Sequence, residues 1–283
     1  MQFSKGHGTG NDFVLLPDPD SQLDLTPSMV SALCDRRRGI GADGVLRVVR
    51  AAKHPEAVEH AGTAEWFMDY RNSDGSVAEM CGNGVRVFTR YLISTGLADP
   101  VGGTLPIATR AGVVRAVVGE GDGQISVDLR APRIGGNGVA TLGGLTLAGT
   151  AVDCGNPHLV CVLPASVDLA GLDLTRPPGF DPALFPSGVN VEFVASAPPV
   201  DGADLHVLMR VYERGSAETM SCGSGTCAVA AVALRDAGRT SGVVAVDVPG
   251  GRLTVTMDER SCWLAGPAVL VADGEINLTG LAG

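Results

Sequence analysis

The sequence predicts an α+β (mixed) fold built of two similar lobes. Three observations carry this expectation. Short strand-like runs alternate with helical stretches along the whole chain. A cysteine-glycine motif in the first half returns in the second half. Apolar residues make up 45% of the 283 residues and charged residues 18%, so the chain can bury a sizeable core.

Residues 113–118 and 124–129 alternate in the manner of strands. They flank Gly-Glu-Gly-Asp-Gly at 119–123, which predicts a hairpin. Further strands are expected at 205–212, 243–248 and 253–257. Helices are expected at 27–36, 85–95 and 226–237. The last two follow Gly-rich turns and stop at Gly96 and Gly238, where a left-handed glycine ends a helix. Residues 51–64, around Lys53 and His54, read as a solvated surface loop.

The repeat is specific in its order. Cys81-Gly82-Asn83-Gly84 recurs as Cys222-Gly223-Ser224-Gly225. Gly10-Asn11 recurs as Gly155-Asn156, and more weakly Gly44 is echoed by Asn190. Three pairs in one order at nearly one offset point to an internal duplication.

The net charge of −10 sets an average field that repels nucleic acid. The first residues hold no apolar stretch of the signal-peptide kind, and no run is long enough to predict a membrane helix. Seven cysteines, an odd number, predict reduced thiols and a cytoplasmic protein rather than a disulfide framework. No Cys-x2-Cys pair invites zinc, so no metal is expected.

The two cysteine turns carry the chemistry. Each cysteine precedes Gly-x-Gly and a helix, so unpaired backbone N–H groups and the helix dipole gather at the sulfur. That setting predicts a thiol acidified toward neutrality and a place for a carboxylate. Two such groups on opposite faces of a carbon would remove a proton from one side and return one to the other, as a racemase or epimerase must. The pyridoxal phosphate route needs a Schiff-base lysine. The chain has only Lys5, at its start, and Lys53, in the expected loop. No cofactor is therefore expected.

At these residues the chain resembles the diaminopimelate epimerase family. The likeness runs through FSKGHGTGNDFVLL, DRRRGIGADGVL, RNSDGSVAEMCGNGVR, CGNPHLV, GVNVEF, RVYERGSAETMSCGSGTC and VPGG, in the family's order. The resemblance implies an isomerase interconverting LL- and meso-diaminopimelate, which serves lysine and peptidoglycan precursor synthesis. It implies two lobes, each a mixed sheet wrapped round a central helix, with the active site in the cleft between them. The expected boundaries are 1–125 for the first lobe, joined by the returning segment 268–283, and 126–267 for the second. A homodimer is implied, with a small-molecule substrate and neither nucleic acid nor membrane as partner.

By motif, the resemblance makes Cys81 and Cys222 the catalytic base and acid. It gives Gly82, Asn83, Gly223 and Ser224 to the reacting end of the substrate. It makes Asn11, Asn72, Asn156 and Asn190 substrate-binding, and Glu213 and Arg214 the clamp for the distal end. His158 and Glu213 are implied to tune ionisation. One departure stands at Gly44, where some members carry a substrate-contacting Gln.

Simpler readings compete. Cys34, Cys154, Cys161 and Cys262 are expected as small core residues, and Cys227 as packing. His7, His54, His60 and His206 receive no role. His158 could be a hydrogen-bonded core histidine, and Asn83 could serve only its turn. Proline or hydroxyproline epimerase is the nearest rival, but those enzymes resemble Cys-Gly-His-Gly where this chain has Asn83. A thiol hydrolase using Cys222 and His158 is a rival of another class. A metal-binding module is a third.

Overall fold

The computed structural model describes residues 1–119 and 123–277. The chain divides into two compact units, Met1–Val127 with the chain from Gly266 onward, and Asp128–Ala265.

Unit 1 opens with the hairpin of β1 (Gln2–Gly8) and β2 (Asn11–Pro17). Its turn, Thr9-Gly10, takes positive φ at both residues, which matches the twist of the paired strands. Helix α1 (Pro27–Cys34) follows, capped by Thr26, whose Oγ1 accepts the Met29 N–H at 3.3 Å. Then come β3 (Gly44–Arg50), β4 (Trp66–Asn72), α2 (Gly82–Ser94), β5 (Thr104–Thr109), β6 (Gly112–Val118) and β7 (Ile125–Leu129). Beyond the β1–β2 hairpin, β2 and β3 are parallel, β3 and β4 antiparallel, β4 and β5 parallel. The β5–β6 and β6–β7 pairs are antiparallel.

Unit 2 contains β8 (Arg133–Leu142), β9 (Leu145–Asp153), β10 (Pro157–Val162), β11 (Gly179–Phe180) and β12 (Asn190–Ser196). It continues with β13 (Leu205–Glu213), β14 (Ala217–Thr219), α3 (Gly223–Asp236), β15 (Gly242–Val248), β16 (Gly251–Met257) and β17 (Cys262–Gly266). The chain then returns to unit 1 as β18 (Val269–Glu275), antiparallel to β1.

The two ladders have one design. Running β9, β10, β12, β13, β15, β16, β17, the pairings are antiparallel, parallel, antiparallel, parallel, antiparallel, antiparallel. That is the sequence of senses from β1 to β7. The duplication suggested by three short motifs is thus written in the topology of each unit.

Each ladder wraps one helix. Helix α2 packs on β1 to β6 and β18, and α3 on β8, β9, β10, β12, β13, β15 and β16. Gly82 to Thr89 are buried without interruption, and so are Gly225 to Val232. Helix α3 accordingly carries mostly apolar and small residues all round, whereas α2 also buries Asn83, Arg86 and Thr89.

Some expectations shift in detail. Both central helices start three residues earlier than expected, at Gly82 and Gly223, so the glycines belong to the first turn. The cysteines themselves are the extended cap residues. Gly96 and Gly238 end them with φ near +70°. Residues 51–64 are not a purely solvated loop. They form the 3-10 turns Ala51–Lys53 and Val58–His60. Ala51, Ala57 and Ala64 pack on Val49, Phe67 and Ala108, and His54 is buried too. The β6 and β7 strands pair as expected, while the hairpin tip at 120–122 lies outside the described residues. Cys34, Cys161, Cys227 and Cys262 are buried, but Cys154 only partly so. Among the described residues no helix is long and apolar enough to cross a membrane.

Candidate active site

In unit 1 the Cys81 turn is held by an asparagine pair. Cys81 caps α2, and its Sγ accepts the Gly84 N–H at 3.5 Å. The thiol faces Asn11 Oδ1 at 3.7 Å, and Asn83 Nδ2 donates to that same oxygen at 3.3 Å. Asn11 cannot turn over, because its Nδ2 donates to Asp43 Oδ2 at 2.8 Å. Asp43 is fixed in turn by Arg36, which also forms a two-pronged bond with Asp12. Burial pushes the Asp12 carboxyl up, but Arg36 and Lys5 outweigh it and hold it well below the carboxylate range. Lys5 is spent on this network, bonded to Asp12 and to the Gly41 carbonyl. Asn83 is locked from behind by Arg86, which also reaches Thr9.

Asn72 stands at the end of β4, in register with Gly44. Its side chain is taken up by Ser76 Oγ at 3.0 Å and not by the Cys81 turn. Gly44 has no space for a larger residue. A Cβ there would lie 2.5 Å from the Arg71 carbonyl oxygen and 2.7 Å from the Tyr70 ring.

In unit 2 the equivalent turn is more enclosed. Cys222 caps α3 and is 6% exposed, with Sγ 3.6 Å from Ser224 Oγ. The expected acidification fails here. Burial pushes the Cys222 thiol well above the ordinary range, and Glu213 and Glu192 add to the push. The Gly225 N–H and the Ser224 hydroxyl pull the other way without offsetting it. A helix start lowers a thiol only where desolvation and nearby carboxylates do not exceed it.

Asn156, His158, Asn190, Glu213 and Arg214 gather round the ends of β10, β12 and β13. His158 is the register partner of Asn190. Asn190 Oδ1 accepts the Arg214 N–H at 2.9 Å, and the Arg214 guanidinium donates to the Ser187 carbonyl at 2.8 Å. The Arg214 stem lies over Gly188, which has φ +81°. Thr219 Oγ1 donates to Glu213 Oε1 across the β13–β14 turn.

One residue that carries no role in the sequence reading stands at the centre. Glu192 is fully buried, with Oε1 2.6 Å from His158 Nδ1. His158 Nε2 meets Asn156 Oδ1 at 3.1 Å. Both ring nitrogens of His158 are thus engaged, neither of them with Cys222. The signal for Glu192 was present in GVNVEF. Period-two alternation puts Glu192 on the face of Asn190. Among the described residues no cluster of three or more His, Cys, Asp or Glu side chains could hold a metal ion.

Two repeated ladders, each with a cysteine capping its central helix, agree with what the comparisons find. The sequence matches the family model described as diaminopimelate epimerase over residues 3–134 and 150–276. The chain belongs to the diaminopimelate epimerase family. It is 50% identical to the diaminopimelate epimerase of Mycolicibacterium smegmatis, covering 98% of this chain and 97% of that one. It is 51% identical to that of Streptomyces coelicolor, covering 100% and 98%. Family membership makes the chain an isomerase, an amino-acid epimerase. The fold extends to more distant proteins. A PhzF-family phenazine biosynthesis protein of Bacillus anthracis superposes with TM-score 0.70 at 17% identity, covering 98% and 99%. A hydroxyproline epimerase of Agrobacterium vitis does so with TM-score 0.62 at 17% identity, covering 97% and 91%.

Proposed function

We propose that this diaminopimelate epimerase family member interconverts LL- and meso-diaminopimelate by moving one proton off and one proton onto the α-carbon, with Cys81 and Cys222 as the two acid/base groups. The observation that carries the reading is the pair of cysteines, each capping the central helix of its own ladder. In one direction a thiolate takes the α-proton while the other thiol gives its proton to the opposite face. In the reverse direction the roles exchange. First-turn amides at Gly82, Asn83, Gly223 and Ser224 have no intrahelical acceptor and suit the substrate carboxylate, onto which the carbanion charge spreads. Asn11, Asn72, Asn156 and Asn190 would hold the amino-acid ends, with Glu213 for the distal ammonium and Arg214 for the distal carboxylate. His158 and Glu213 would tune the thiols. No cofactor enters this scheme. The product would serve lysine and peptidoglycan precursor synthesis, and the reading extends to a homodimer.

The test is LL-diaminopimelate in D2O with reduced protein, without pyridoxal phosphate or metal. Deuterium is expected at the α-carbon as the meso form accumulates. Cys81→Ser and Cys222→Ser should each abolish turnover. Absence of exchange in the wild type, or full activity in either variant, would end the proposal. Turnover of proline in place of diaminopimelate would transfer it to the proline epimerase reading.

A further inference from the structure

The two cysteine turns are built alike but backed differently. In unit 1 a Cβ placed on Gly84 would touch Leu46 and Phe13, both fully buried hydrocarbon. In unit 2 a Cβ placed on Gly225, the repeat position, would lie 2.6 Å from Glu192 Oε1. The ladders make the match explicit. Phe13 pairs Gly44 between β2 and β3, and His158 pairs Asn190 between β10 and β12. Two residues on, Leu46 corresponds to Glu192. An apolar pair behind Cys81 is therefore replaced by a His-Glu pair behind Cys222. A fully buried carboxyl is costly unless its charge is shared or neutralised, so chance packing does not favour it.

The bonds state what the pair does. The 2.6 Å contact between Glu192 and His158 Nδ1 requires a proton between them. The bond to Asn156 Oδ1 requires a second proton on Nε2. Two protons on this pair leave it without net charge. Glu192 Oε2 has no partner among the described residues, which a carbonyl-like oxygen tolerates better than a carboxylate oxygen. With its oxygen taken by His158, Asn156 turns its NH2 away, as a donor. Asn11, its counterpart in unit 1, is pinned the other way. Its NH2 is held by Asp43 and its oxygen faces Cys81.

We infer that Glu192 is a positioning residue which, through the proton on His158 Nε2, fixes Asn156 with its amide NH2 presented to the ligand. The two repeat asparagines thus offer opposite hydrogen-bonding ends, an acceptor from Asn11 and a donor from Asn156. A donor is what a substrate carboxylate takes. This inference rests on the proposed epimerase reaction for its consequence, but not for its geometry.

The experiment has two arms. The first is two-bond 1H–15N correlation of the histidine rings in the wild-type protein, with the His158 signal identified by its loss in His158→Phe. A proton resident on Nε2 at neutral pH is expected, and an unprotonated Nε2 overturns the inference. This arm needs no activity, so it stands even if diaminopimelate is not the substrate. The second arm compares Glu192→Gln alone and combined with Asn156→Ala. Glu192→Gln should lower kcat/KM for LL-diaminopimelate by about tenfold, the loss of one well-placed hydrogen bond. In the Asn156→Ala background the same change should cost less than about twofold. An equal loss in both backgrounds would make Glu192 merely structural and overturn the assignment.

Discussion

Asn11 donates its Nδ2 to Asp43 at 2.8 Å, and this bond, with the one its oxygen accepts from Asn83, turns that oxygen toward the Cys81 thiol. The first prediction follows from it. Asp43→Ala removes the shorter of the two bonds that orient the amide and leaves only the 3.3 Å Asn83 bond to keep its oxygen at the sulfur. The proposed turnover should fall by about tenfold in kcat/KM, since a charge-assisted bond is worth about 1.5–3 kcal/mol. Asp43→Asn keeps an oxygen that Asn11 can use and should lose less. Steady-state kinetics with circular dichroism on both variants checks this. Equal activities in the two variants would show that the Asn11 orientation has no part in the reaction.

Gly188 and Arg214 give the second prediction. Gly188 has φ +81°, and an added Cβ would sit 2.9 Å from Arg214 Cδ. Gly188→Ala therefore strains the backbone by about 1–2 kcal/mol and displaces the arginine stem. Thermal stability should drop modestly, and KM for diaminopimelate should rise several-fold if Arg214 clamps the distal carboxylate. A lowered melting temperature with unchanged KM would separate Arg214 from substrate binding.

What could be read from the sequence, and what could not, divides by range. Gly96 and Gly238 are legible because a helix stop is local chemistry, and both take left-handed φ. The cysteine turns are legible for the same reason. The face of Glu192 can be read from its spacing to Asn190, but its role cannot, because that comes from His158, 34 residues away on a neighbouring strand. Read alone, it is an acid between Val191 and Phe193 in a buried strand. The Cys222 thiol is misread on the same ground. Its helix start is local, but the burial and the two acids that oppose it arrive from β12 and β13. The hairpin of β8 and β9 escapes sequence reading because its glycines and exposed alternation resemble loop.

The raised Cys222 thiol sets the third prediction. The loss of water and the Glu213 carboxylate disfavour the thiolate, while the Gly225 amide and Ser224 favour it. With a pKa above the usual thiol range, Cys222 is protonated at neutral pH in the ligand-free protein. Its alkylation by iodoacetamide, followed by peptide mass mapping in a Cys81→Ser background, should still be climbing above pH 9, beyond a free thiol near 8.5. Glu213→Gln removes one opposing charge and should shift the profile toward lower pH. A plateau reached below pH 8 in the parent would show that the helix start wins after all.

Asp69 carries the last prediction, which concerns stability. Its buried carboxylate accepts Arg71 Nε at 2.9 Å and Arg110 Nη2 at 2.7 Å, with Arg47 Nη1 at 3.5 Å. Burial raises its pKa, but the bonds from Arg71 and Arg110 outweigh burial and lower it. A carboxyl whose folded pKa lies below its unfolded value stabilises the fold above that unfolded value, about 3.9 for Asp. The contribution fades as pH falls through the folded pKa. Asp69→Asn leaves three guanidiniums round a neutral amide and should cost about 3 kcal/mol at pH 7. Because the wild type loses the same charge on acidification, the gap between the two should narrow steadily below about pH 4. Urea unfolding midpoints at pH 7 and pH 3 measure it. A gap of equal size at both values would mean that Asp69 stabilises by shape and packing rather than by charge.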